Sequence, residues 1–216
     1  MNIKTIQKKN PNLRIRSEND AEFERYGRIL HLDANPILTY TQEHSKLPES
    51  GSSYEPDIEK LHPFSIITRI KQDVYGSLPI EVGICHGHNS VLIGLEYHVG
   101  PEVNIAVTDC LLALGRKESM QNNTIQGNAL DIFYIPQGKV IELYEGTLHY
   151  CPFSADPKGF STIVILLDKT NTSISYQPGS LITKRNKWFI AHVENTAKIE
   201  AGNVAGLLGT AIEIKL

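Results

Sequence analysis

The sequence predicts a mainly β protein, a single β-barrel preceded by an N-terminal arm. Three observations carry that prediction. From Leu78 onward the apolar period is two, as in "SVLIGLEYH", where Val91, Ile93, Leu95 and Tyr97 alternate with Leu92, Gly94, Glu96 and His98. Short apolar segments recur between Gly- and Pro-bearing turns, the spacing of a sandwich or barrel. No stretch after residue 78 sustains a long helical period.

Residues 1–75 read as an arm packed on the barrel, because they are polar, rich in turn formers and too poor in apolar residues for a core of their own. Within them "SENDAEFERYGRIL" offers Ser17 and Asn19 as caps ahead of Phe23, Tyr26 and Leu30, hence a short helix entering an extended segment. "TQEHSKLPESGSSYEPD" reads as a surface arm or lid. Residues 76–216 read as the barrel. Its strands are "SVLIGLEYH", "EVNIAVTDCLLALG", "LDIFYI", "GKVIELY", "TIVILLD", "LITKRN", "KWFIAH" and "AIEIKL", with "GRKESMQNNTIQGN", "SADPKG" and "QPGS" as loops.

Composition narrows the function. With 216 residues, 41% hydrophobic and 21% charged, the chain has ordinary globular proportions. A net charge of −3 leaves no basic face for nucleic acid, and there is no polybasic run for an anionic membrane. The N-terminus "MNIKTIQKKN" lacks the apolar core of a secretory signal, and no window reaches the roughly 20 apolar residues of a membrane span. Cys85, Cys110 and Cys151 are odd in number and widely spaced, which predicts reduced thiols in a cytoplasmic protein and excludes a zinc ribbon.

The chemistry concentrates in "LEYHVGPE". Glu96 and His98 are two apart on one strand and project to one side, and Glu102 can swing back beside His98 after the Gly100–Pro101 turn. "ELYEGTLHY" adds Glu142, Glu145 and His149, and "CHGHN" adds His86 and His88. Imidazoles with carboxylates suit Zn, Mn, Fe or Ni, and a carboxylate beside such an ion is placed to act as a base. Charges alternating along a strand are ordinarily a solvated face. Here the flanks of Glu96, His98 and His149 are apolar, and a buried charge needs a metal, a counter-charge or a ligand. His86, beside Gly87, reads as a surface residue. In "TKRNKWFIAH", Lys184, Arg185 and Lys187 read as a charged strand edge or an anion anchor, with Lys187 and His192 the residues to test. Tyr144 and Tyr150 read as packing aromatics within reach of a pocket.

These motifs resemble the two halves of a cupin barrel. The first half appears as Glu96-x-His98-x-x-x-Glu102 with Gly115, and the second as Pro136-x-Gly138 with His149. Glu96 stands where cupins place their first His, and His149 lies further from the PxG turn than is usual. The order of "FERYGRIL", "LEYH" and "GTLHYCP" over residues 23–168 is similar to that of ureidoglycolate lyases. The whole chain resembles an uncharacterised bacterial cupin-like family, on "EYH…E", "LHY", "NKWFIAH" and "GLLG".

The resemblance implies a double-stranded β-helix barrel that acts on a small molecule. It implies a lyase or isomerase for a hydroxy-carbonyl compound (a sugar, a sugar acid or a ureido acid) with a divalent metal. On that reading His98, Glu102 and His149 hold the metal or polarise the substrate, and Glu96 or Glu142 is the base. His88, Lys187 and Tyr150 bind substrate. A homodimer is expected, since cupins commonly pair through such arms. The rival readings are a ureidoglycolate lyase proper and a sugar-binding cupin without catalysis.

Overall fold

The computed structural model describes residues 1–216 and contains sixteen strands, β1–β16, and four α-helices, α1–α4. Strand pairing places eleven of the strands in two principal sheets. The first is antiparallel throughout, in the order β2 (Gly27–Leu30), β10 (Val140–Leu143), β6 (Glu102–Ala106), β13 (Phe160–Leu167), β4 (Ile80–Gly87) and β3 (Ser52–Glu55). The second runs β1 (Ile15–Ser17), β9 (Asp131–Ile135), β7 (Cys110–Arg116) and β11 (Thr147–Leu148), with β12 (Phe153–Ser154) also on β7.

Alternation decides what each face does. In the first sheet Val140, Ile105, Ile163 and Ile84 align across four strands and share one apolar cluster with Ile37, Leu38, Ile66 and Ile70. Those partners come from α2 (Asn35–His44) and α3 (Ser65–Asp73), so the two helices cover the outer face. The inner face turns Ala106, Ile141, Leu143 and Phe160 toward Cys110, Leu112, Leu114 and Phe133 of the second sheet. The outer face of that second sheet, Leu111, Ala113, Ile132 and Tyr134, packs on Leu95, Ile190 and Leu207. These belong to a third sheet, β14 (Ile182–Lys184), β15 (Lys187–His192), β16 (Val204–Leu208) and β8 (Ile125–Gln126), with β5 (Gly94–Tyr97) on β15. The result is the mainly β, cupin-like barrel the sequence predicts: two facing sheets, apolar at one end of the interior and polar at the other.

Several elements differ from expectation. Residues 1–75 supply β1, β2 and β3 to the two principal sheets as well as three helices, including α1 (Ile3–Lys9). Their helical faces are short, carried by pairs such as Ile66–Ile67 with Ile70, and the polar composition hides them. The turn at Ala21–Arg25 is 3-10, and Asp20, not Ser17 or Asn19, caps it by accepting from the Glu22 backbone N–H. "IEVGICHG" forms β4, one of the two longest strands, which the predicted strands omit although the period-two region begins at Leu78. "AIEIKL" forms no strand; its Glu213 makes only an isolated bridge to Val91. After residue 78 the sole α-helix is α4 (Thr196–Glu200).

Candidate metal centre and cavity

Four side chains converge at the polar end of the barrel. Glu96 is on β5, His98 follows that strand, Glu102 opens β6, and His149 follows β11. The backbone draws them together: Glu96 N–H donates to His149 O (2.7 Å) and His149 N–H donates to Glu96 O (2.9 Å). Gly100, at φ 96°, turns the chain from β5 into β6 in a conformation that favours glycine, and a Cβ there would lie 2.9 Å from Leu167 Cδ1.

One ligand atom from each of Glu96, His98 and His149 lies within 4.8 Å of the others. Glu102 Oε2 is 3.1 Å from His149 Nε2 and 3.5 Å from His98 Nε2. Glu96 Oε1 is 3.9 Å from His98 Nε2. His98, Glu102 and His149 are each less than a tenth exposed.

The outer bonds of the two imidazoles set their inward faces. His98 Nδ1 donates to the Asn186 carbonyl, and His149 Nδ1 donates to Thr147 O (2.8 Å). Each ring therefore directs Nε2 into the cluster, the arrangement that readies a histidine for a metal. His98 Nε2 is buried and has no hydrogen-bond partner. Burial outweighs Glu96 and Glu102 and keeps the His98 imidazole below its ordinary pKa, hence neutral with a lone pair at Nε2. Glu102 Oε1 accepts from Asn104 Nδ2 (2.8 Å), which orients the carboxylate.

The remaining charges balance in pairs. Burial opposes ionisation of Glu102, but His149, His98 and Asn104 hold its carboxyl down to about 2. Burial likewise opposes charge on His149, yet Glu102 and Glu96 push it up to about 9. Lys187, with both histidines, overcomes the burial of Glu96 and keeps that carboxyl below its usual range, and Lys187 Nζ touches Glu96 Oε2 directly.

A cavity of about 430 Å³ opens onto this cluster. Glu96, Glu102 and His149 face it, together with His88, Tyr150 and Lys187. His98 stands behind them. Glu142 is elsewhere. It pairs with Val103 in register, on the outer face of the first sheet, and its carboxylate accepts from Arg28 Nε (2.7 Å), so it is withdrawn as a base for this cavity. His86 is also corrected: it is buried, with Nε2 3.1 Å from Glu55 and Nδ1 3.1 Å from Ser45 Oγ.

A family model described as "Domain of unknown function (DUF4867)" matches residues 15–212. The chain belongs to the DUF4867 family. No curated protein matches it, so the likeness to ureidoglycolate lyases has no counterpart there. Among solved structures the chain is similar to a variant of Bacillus subtilis oxalate decarboxylase, with a TM-score of 0.37 at 10% identity, covering 61% of this chain and 29% of that one. It is also similar to the same enzyme at pH 4.6, with a TM-score of 0.36 at 11% identity over 59% of this chain and 28% of that one. An 11S globulin from Wrightia tinctoria gives 0.34 at 11% identity over 57% and 27%. The DUF4867 chain thus spans under a third of these proteins' length. The likeness carries nothing over to the site, and the fold assignment stands on the strand pairing itself.

Residues at and beside the DUF4867 cavity include some that the sequence did not single out. Tyr54, on β3, lines it and donates from Oη to Glu81 Oε1 (3.2 Å). Burial raises the Glu81 carboxyl to about 7 against the lowering effect of that bond. Gly83 makes room for this dyad, since a Cβ there would stand 2.5 Å from Glu55 O and 2.9 Å from the Tyr54 ring. The signal in sequence was Glu81 inside the apolar run "LPIEVGIC". Asn186 is the second omission. It sits at φ 54° at the β14–β15 turn, accepts from Val99 N–H at Oδ1 (2.8 Å) and donates to Thr170 Oγ1 (3.0 Å). One residue thereby anchors both His98 and the chain that follows it.

Proposed function

We propose that this DUF4867 protein is a metal-dependent lyase or isomerase for a small hydroxy-carbonyl compound carrying a carboxylate, such as a sugar acid or ureido acid. The observation that carries the metal is His98 Nε2, a buried, unpartnered lone pair aimed at His149 and two carboxylates. His98, His149 and Glu102 would hold the ion, because Glu102 Oε2 is common to both imidazoles. A bound Zn, Mn, Fe or Ni would supply a Lewis acid for the substrate's carbonyl or carboxylate oxygen.

Charge supports the anionic substrate. The ionisable groups facing the cavity include two carboxylates, Glu96 and Glu102, against Lys184, Lys187 and a His149 held protonated. The excess is positive, and a divalent ion in place of the His149 proton increases it, so the guest that neutralises the cavity is an anion. Lys187 anchors its carboxylate. Asn171 Oδ1, unpartnered on the wall, accepts from a hydroxyl. Glu96 is the base: its carboxylate takes the proton from the hydroxyl-bearing carbon or its oxygen, while Lys187 holds the charge that develops.

The test is a thermal-shift screen of the metal-loaded protein against neutral pentoses and hexoses, the corresponding sugar acids, and ureidoglycolate, followed by turnover assays of the hits. A bound guest raises Tm by mass action. Sugar acids or ureidoglycolate are expected to raise Tm while neutral sugars do not. A hit on ureidoglycolate alone would identify a ureidoglycolate lyase, and binding without turnover would identify a sensor. A response to neutral sugars only would overturn the anionic reading. The homodimer belongs to the same proposal, and light scattering should give a mass twice that of the 24.1 kDa chain.

A further inference from the structure

We propose that Cys85 and Cys151 form a redox-active dithiol on the cavity wall that closes reversibly to a disulfide. Their Sγ atoms are 4.0 Å apart, both residues line the cavity, and both are partly exposed. They come from separate parts of the barrel. Cys85 lies on β4, flanked in the sheet by Tyr54 of β3 and Thr162 of β13. Cys151 lies between β11 and β12, two residues beyond His149.

A disulfide needs its sulfurs about 2.05 Å apart in a restricted geometry, so the question is whether side-chain rotation alone can bring them together. The backbones are already stitched. Asn89 Nδ2 donates to Cys151 O (3.1 Å) and Pro152 O (3.2 Å), Asn89 N–H donates to Ser154 Oγ (3.2 Å), and Ser154 N–H donates to Asn89 O (2.8 Å). The two segments therefore hold their relation while the thiols close a gap of about 2 Å. Cys110 serves as an internal control: it is 1% exposed, on the inner face of β7, and has no sulfur partner.

The reaction takes an oxidant of the peroxide or small-disulfide class. With hydrogen peroxide, both S–H bonds break, the S–S bond forms, the O–O bond is reduced and two waters leave. With oxidised glutathione, thiolate attack passes through a mixed disulfide and releases two glutathione thiols. The bridge joins two residues of the cavity wall, so the chemical surface that the wall offers a guest, two thiols or one disulfide, follows the redox state. This inference is independent of the metal reading, since neither sulfur is among the proposed ligands.

The experiment treats the full chain with hydrogen peroxide or oxidised glutathione, quenches with N-ethylmaleimide under denaturing conditions, and reads intact mass and peptide maps. The reduced protein takes three alkyl groups. The oxidised protein is expected to take one, at Cys110, and to yield a peptide cross-linked between Cys85 and Cys151. Dithiothreitol should restore all three, and Cys85→Ser or Cys151→Ser should each abolish the cross-link. Separate sulfinic acids or glutathione adducts on the two residues, pairing through Cys110, a bridge between chains, or three alkylatable thiols after oxidation would each overturn the proposal.

Discussion

At the scale of single residues, two carboxylates that look alike in sequence have different neighbours. Glu102 Oε2 faces both imidazoles and is assigned to the metal, while Glu96 faces Lys187 and the cavity and is assigned to the proton. Glu102→Gln is therefore expected to lower metal affinity, and Glu96→Gln to retain metal but lose turnover by 10²-fold or more, about the range of general-base contributions. Equal metal loss in both variants, measured by inductively coupled plasma mass spectrometry, would refute the division of labour. His149 sets the pH dependence. Its folded pKa of about 9 lies above the ordinary 6.5, so its pairing with Glu102 stabilises the metal-free protein fully below pH 6.5 and is lost as pH rises through 9. Glu102 behaves oppositely: held at about 2 against 4.5, its contribution is present above pH 4.5 and is lost as pH falls through 2. A metal must displace the His149 proton, so affinity should rise about tenfold per pH unit up to 9 and then level off. Titration calorimetry across that range checks this, and a pH-independent affinity would exclude His149 as a ligand.

The scale of elements explains what could be read beforehand and what could not. Glu96, His98 and His149 stood out because charged groups flanked by apolar strand residues require compensation, and period-two spacing placed the first two on one side. Glu142 met the same compositional test and failed on direction. Only the register Glu142–Val103 shows that it faces the helix-covered side, where Arg28 neutralises it. His86 likewise looked like a turn residue until β3 came to lie beside β4. The Tyr54–Glu81 dyad was illegible for a related reason: its partners are 27 residues apart and meet only through that pairing. Asn186 is the clearest case of support from an adjacent element, because the β14–β15 turn holds His98 from outside. Asn186→Ala removes the side-chain bonds to Val99 and Thr170 and a residue type suited to positive φ. It should lower metal affinity roughly 10–100-fold, the usual cost of losing a ligand's outer partner, with circular dichroism unchanged. Unaltered affinity would show that the turn does not position His98.

At the scale of the whole molecule, the barrel was legible from alternation and turn spacing, whereas its covering layers were not. The helices from the first 75 residues and the third sheet bury apolar outer faces that a strand count alone leaves unpartnered. These layers place a polar, charge-balanced cavity at one end of an otherwise apolar interior. No helix is long and apolar enough to cross a membrane. The measurement that bears most directly on this picture is metal stoichiometry. Apoprotein equilibrated at pH 7.5 with Zn, Mn, Fe(II) or Ni, then gel-filtered, should retain one ion per chain of at least one of these metals. His98→Ala and His149→Ala should each retain almost none while keeping the native circular dichroism spectrum. Wild-type protein that retains none of the four, or alanine variants that retain as much as wild type, would contradict the account.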